Sequence, residues 1–226
     1  MKFTFYGQSS MLVEIGGTQL LFDPFISANP LAKDIDVNSI SADYILLSHG
    51  HQDHVLDAES IALRTGAKLV SNYEIVTWYG QKNIEGHPMN HGGKWKFDFG
   101  TVRYVNAVHS SILPDGSYGG NPGGFVVETE EGNFYFAGDT ALTLDMQLIP
   151  MTCKALDIAI LPIGDNFTMG YEDAVIASDF IKCDRIIGCH YDTFGYITID
   201  HEAAKKAFAE RDKELILLSV GQSMEL

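Results

Sequence analysis

The chain has 226 residues, 46% of them apolar, which is enough for one substantial core and excludes a disordered or fibrous class. Fifteen Lys+Arg against 30 Asp+Glu leave a formal charge of −15, and only Lys205 and Lys206 stand side by side. Such a balance repels nucleic-acid backbones and anionic lipid surfaces, so neither is an expected partner.

The N-terminal stretch MKFTFYGQSSMLVEIGG alternates apolar and polar residues as a strand does, without the apolar region and cleavage site of a signal peptide. No apolar run approaches the ~18 residues that cross a bilayer, and a cytoplasmic location is expected. KFTFY, SMLVEI and TQLLFDP read as strands, with Gly16-Gly17 as a hairpin turn. DYILLSH is a continuous apolar run, as in a strand covered on both faces. After it, LDAESIALRTG has helical spacing and stops at Gly66, KLVSN returns to strand, and YEIVTWYGQ is helical. EGHPMNHGG reads as a loop. Apolar side chains near VTWYG and the edge strands are compatible with a homo-oligomer.

KWKFDFG, TVRYVNAVHS, GGFVVETE and NFYFAGD form a second β-rich stretch, with EEGN as another hairpin turn. Helix and strand then alternate through LDMQLIPMTCK, LDIAILPIG, YEDAVIASDFIKC, DRIIGCHY and DHEAAKKAFAERDK to a final strand, ELILLS. Two β-rich halves that each close with helices predict a four-layer αββα sandwich, two mixed β-sheets flanked by helices, in one domain over residues 1–226. Cys153, Cys183 and Cys189 lack a CxxC spacing and read as buried free thiols, neither disulfide framework nor thiolate zinc site.

Chemistry concentrates in ILLSHGHQDHV, where His49, His51, Asp53 and His54 crowd into six positions after an apolar run. With 8 His in the chain, an H-x-H-x-D-H pattern is expected by chance only about 0.001 times. Residues two apart in an extended segment point the same way, so His49 and His51 can share an ion, and Asp53 and His54, past the bend, can face a neighbour. His109, Asp139 and His190 each follow a strand-like run in the same manner. Strand ends gather functional loops, so these seven residues can converge on one cleft and hold two metal ions with a shared carboxylate. Nitrogen and oxygen ligands without sulfur suit Zn²⁺, the first expectation, and equally Mn²⁺ or Fe²⁺. A water bridging two such ions becomes a hydroxide nucleophile near neutral pH.

HGHQDH, VHSS, FAGDT and GCHYDTF resemble, in order, the ligand motifs of the metallo-β-lactamase superfamily, and the likeness spans residues 1 to 226. Within it, the short chain with GGNPGGFVVE and HYDTF is most similar to a bacterial and archaeal group of metal-dependent hydrolases. The resemblance implies an αββα fold and a hydrolytic dinuclear site, and the seven ligand-type residues in that order make a hydrolase of a small ester, lactone or phosphoester the leading function. The same resemblance assigns one ion to His49, His51 and His109, the other to Asp53, His54 and His190, with Asp139 bridging. Asp23 in LLFDP is then a structural residue beside the metal loop, and Asp53 or His91 the candidate proton donor to the leaving group.

Gln8 stands where other branches of that superfamily carry a histidine; it reads as facing substrate or a metal ligand, or as holding its turn. Ser110, Tyr191 and Phe194 follow ligands closely enough to line the pocket. GGNPGGF has no phosphate-binding spacing and reads as a tight loop at the cleft mouth. His201 starts a helix and is expected to be exposed. A di-iron oxygen-handling protein and a non-catalytic metal-stabilised binding module are the competing functions.

Overall fold

A computed structural model describes residues 1–226. Strands β1 (Lys2–Gly7), β2 (Ser10–Ile15) and β3 (Thr18–Phe22) form an antiparallel meander. Gly16 and Gly17, with φ of 55° and 86°, supply the paired left-handed residues that a two-residue hairpin turn needs. β4 (Tyr44–Leu46), β5 (Lys68–Asn72) and β6 (Gly86–Met89) continue the sheet in parallel. Helices α1 (Gln52–Val55), α2 (Ala58–Thr65) and α3 (Tyr73–Gly80) connect them.

The second half repeats this plan. β7 (Lys94–Lys96), β8 (Thr101–Asn106), β9 (Gly123–Glu128) and β10 (Asn133–Phe136) run antiparallel. β11 (Ile158–Pro162), β12 (Arg185–Cys189) and β13 (Glu214–Ile216) follow in parallel, with helices α4 (Ile149–Thr152), α5 (Tyr171–Ile181) and α6 (His201–Ala209) between. β14 (Ser223–Glu225) crosses back to pair antiparallel with β1. Each sheet therefore has seven strands, in the orders β14-β1-β2-β3-β4-β5-β6 and β13-β12-β11-β10-β9-β8-β7.

Strand alternation explains the four layers. Leu20 and Phe22 of one sheet and Phe134, Phe136, Ile158 and Ile160 of the other turn into a shared central core. The intervening Leu21 packs beneath α2 and α3, and Tyr135, Ala159 and Leu161 pack beneath α5 and α6. Continuous apolar runs follow, because both strand faces are covered. No helix is long and apolar enough to cross a membrane.

Three local expectations need correction. Residues 86–89, read as a loop, form edge strand β6; Pro88 is tolerated there because its missing N–H faces no further strand. In KWKFDFG only Lys94–Lys96 pairs, and the segment LDMQLIPMTCK divides into a 3₁₀ turn at Leu144–Leu148 and the short α4. ELILLS is not the last strand, since β14 lies beyond it.

Candidate metal centre

Six strands deliver the site, all at their C-terminal ends. Gln8 follows β1, Asp23 follows β3, and the loop from β4 carries His49 and His51 into α1, where Asp53 and His54 occupy the first turn. His109, Asp139 and His190 follow β8, β10 and β12 of the opposite sheet. Tight backbone makes the approach possible: Gly138 has a φ of 63°, and a Cβ there would lie 2.5 Å from Ser48 Cβ. Gln8, Asp23 and His190 also hold left-handed φ values of 52°, 40° and 55°. Non-glycine residues in that region cost about 1–3 kcal/mol each and persist where their surroundings over-determine them.

The surroundings do so here. Buried Asp23 accepts from Ser48 N at 2.7 Å, from Ser48 Oγ and from His54 Nδ1 at 2.8 Å. Ser48 Oγ has given its one proton to Asp23, so it accepts from His49 Nδ1 at 2.9 Å. Both imidazoles thus have Nδ1–H committed outward and the Nε2 lone pair turned inward, the arrangement metal-ligating histidines adopt. His190 N donates to Gln8 O at 2.7 Å, and Gln8 Nε2 donates to Asp53 Oδ2 at 2.9 Å.

Three groups of ligand-type atoms lie within 4.8 Å of one another: His49/His51/His109, Asp53/His54/His190, and Asp23/His49/His54, in the last of which Asp23 is already committed to Ser48 and to His54 Nδ1; the first two are the open triads. His49 Nε2 and His51 Nδ1 are 2.9 Å apart. Asp139 lies between the triads. Its Oδ2 is 3.0 Å from His190 Nε2, 3.2 Å from His54 Nε2, 3.6 Å from His109 Nε2 and 4.0 Å from His49 Nε2.

Electrostatics divide the cluster in the same way. Burial lowers the pKa of His49, His51 and His109, leaving neutral imidazoles with free lone pairs. Burial also opposes charge on His54 and His190, but the carboxylates of Asp139 and Asp53 outweigh it, raising His54 well above its usual value and His190 to about 9. Burial likewise works against ionised Asp139 and Asp53, yet the adjacent imidazoles hold both below the usual carboxylate range. No Lys or Arg neutralises these carboxylates.

His54 Nε2, Asp139 Oδ1 and His190 Nδ1 are buried without a hydrogen-bond partner. Buried orphan atoms of this kind are rare in proteins, and the carboxylates of Asp53 and Asp139, with no Lys or Arg beside them, need positive charge from the cluster, as protons on His54 and His190 or as a cation that replaces them. The donor set fits a divalent cation with nitrogen and oxygen ligands.

The cluster floors a cleft of about 500 Å³. Ser110 lines it, with Oγ 3.4 Å from His51 Nε2, and so does Phe194. Phe25, Phe167 and Gln52 line it as well and were not legible from ligand spacing; Phe25 alone carried a signal, standing two positions after Asp23 at a strand end. Tyr191 does not line this cleft: it is buried, stacks on Phe5 at 6.4 Å and faces a separate cavity. Gln8, fully buried, reaches Asp53 rather than the cleft.

His91 is also outside it. Its Nε2 donates to Pro122 O at 2.8 Å and its ring stacks on Tyr104 at 5.1 Å, so its proton is committed to a backbone carbonyl. GGNPGGF packs behind the metal loop instead of at the mouth, with Gly123 N on Ser48 O at 3.0 Å and Asn72 Nδ2 on Gly119 O at 2.8 Å. His201 is exposed, as expected, and pairs with Asp192.

A family model described as a beta-lactamase superfamily domain matches residues 2–190. The chain belongs to that superfamily. Among superfamily members it is 66% identical over 227 residues to a UPF0173 metal-dependent hydrolase of Christiangramia forsetii, with the whole of both chains covered. It is 40% identical over 231 residues to the UPF0173 metal-dependent hydrolase YtkL of Bacillus subtilis, again over both full lengths. A solved structure of Igni18, a metallo hydrolase from the archaeon Ignicoccus hospitalis, superposes with a TM-score of 0.88 at 32% identity, covering 100% of this chain and 98% of that one. These full-length likenesses put the chain in the metal-dependent hydrolase group of the superfamily.

Proposed function

We propose that the protein hydrolyses a small ester, lactone or phosphoester at a dinuclear centre. In this reading His49, His51 and His109 hold one ion, Asp53, His54 and His190 hold the other, and Asp139 serves both. The observation that carries it is the position of Asp139 Oδ2, within 4.0 Å of imidazole nitrogens from both triads. When bound, two divalent ions, Zn²⁺ first among them, would acidify a water as nucleophile and stabilise the charge that develops on the substrate oxygen.

The chain's own residues do the rest. Asp23 and Ser48 fix the His54 and His49 tautomers, and Gln8 fixes Asp53. Three phenylalanines line the cleft and give the substrate an apolar surface beside the reacting bond. Asp53, ionised, 28% exposed and the more accessible of the two central carboxylates, faces the cleft as an acceptor for a proton of the attacking water.

The test is a survey of generic esters, lactones and phosphodiesters with the metal-loaded protein. Turnover of at least one class, reduced by about 10²-fold or more in His51→Ala, is expected. Stoichiometric metal with no turnover of any class would sink the hydrolase reading.

A further inference from the structure

Five of the ten residues around the cleft belong to the metal-holding cluster. The other five are Phe25, Phe167, Phe194, Gln52 and Ser110, and no Lys or Arg is among them. Phe25 and Phe194 form one wall, their rings 6.3 Å apart. Phe167 lines the cleft as well, and the exposed Tyr196 packs edge-on against it at 6.2 Å.

The turns that carry Phe167 and Phe194 are held in place. Phe167 follows two left-handed residues, Asp165 and Asn166, whose turn is closed by Asp165 Oδ1 accepting from Asn166 N at 2.7 Å. Phe194 begins a turn pinned by the Asp192 carboxylate, which accepts from Ile199 N at 3.1 Å and pairs with His201 at 2.6 Å. A preformed, mostly apolar cleft of this size takes an apolar ligand with a few polar groups.

A phosphomonoester would need more. Proteins grip its remaining charged oxygens with Arg or Lys, yet beyond the metal cluster this cleft offers one amide and one hydroxyl. Charge pressed against three phenylalanines without such partners is costly, and the chain's charge of −15 adds repulsion at long range. An acyl chain meets no such penalty and gains with every methylene buried.

We propose that the cleft selects uncharged carboxylic esters or lactones with an apolar acyl chain of several carbons, in preference to phosphoesters; this rests on the hydrolase reading above. In the reaction the acyl C–O bond breaks, the water oxygen joins the acyl carbon, and a water proton ends on the alcohol oxygen. No oxidant or second substrate enters.

The experiment compares kcat/KM for p-nitrophenyl acetate, butyrate and hexanoate with p-nitrophenyl phosphate and bis(p-nitrophenyl) phosphate on the metal-loaded protein. The ester series should rise about tenfold or more from acetate to hexanoate, both phosphates should fall at least about tenfold below the hexanoate, and Phe167→Ala and Phe194→Ala should flatten the rise. A flat series, or a phosphate faster than the hexanoate, overturns the proposal. Calorimetry with N-phenylhexanamide and phenylphosphonate reads the same preference without turnover. If nothing is hydrolysed, the hydrolase reading fails; tighter binding of the amide, weakened by Phe167→Ala, still supports the apolar site, and tighter binding of the phosphonate overturns it.

Discussion

Gln8 enters the centre twice, its carbonyl taking His190 N at 2.7 Å and its amide reaching Asp53 Oδ2 at 2.9 Å. It therefore holds two of the three residues of the second triad in register. Groups that orient a metal ligand typically contribute 10–100-fold in metal affinity. Gln8→Ala should weaken one of two metal equivalents by about that factor and spare the other, measured by competition with a chelating dye; equal affinity at both sites in the variant would refute the role. The sequence offered contact with a metal ligand as one reading of Gln8 but could not name Asp53, because the two are separated by 45 positions. His49, His51, Asp53 and His54 were legible for the opposite reason: their geometry is local, set by one strand end and one helical turn. His91 misled because a histidine among glycines says nothing of where its ring points, and here Tyr104 and the Pro122 carbonyl claim it.

At the scale of elements, the strands covered on both faces announced themselves as apolar runs, and every ligand but His109 followed one; β8 before His109 alternates instead. β6 and β14 did not, since GHPM and SME carry Gly, Pro or polar residues and no periodic signal. The segment after β3 was also underread. Its amides at Ile26 and Ser27 donate to the Asp57 carboxylate at 2.6 and 2.9 Å, and Ser27 Oγ donates to the same group. Asp57 thereby ties the stretch that carries Asp23 and Phe25 to the start of α2. Asp57→Ala leaves both amides without an acceptor, at a cost of about 2–4 kcal/mol, which should lower the thermal midpoint by about 5–15 °C. Scanning calorimetry of the metal-loaded variant reads it, and an unchanged midpoint would show that water replaces the carboxylate without loss.

For the whole molecule, the decisive feature is that the ligand set is divided between two sheets. The first supplies His49, His51, Asp53 and His54, and the second supplies His109, Asp139 and His190, so each proposed ion joins the two halves of the sandwich. The two-half plan was legible from the repeated order of strands and helices. That the halves meet at one end was not, because it depends on packing through the shared core of Phe22, Phe134 and Phe136. The central claim is that two ions share Asp139, and native mass spectrometry of the zinc-loaded protein tests it most directly. We predict two ions per chain in the parent, one in His51→Ala and fewer than one in Asp139→Ala; a parent holding a single ion, or an Asp139→Ala variant still holding two, would contradict it.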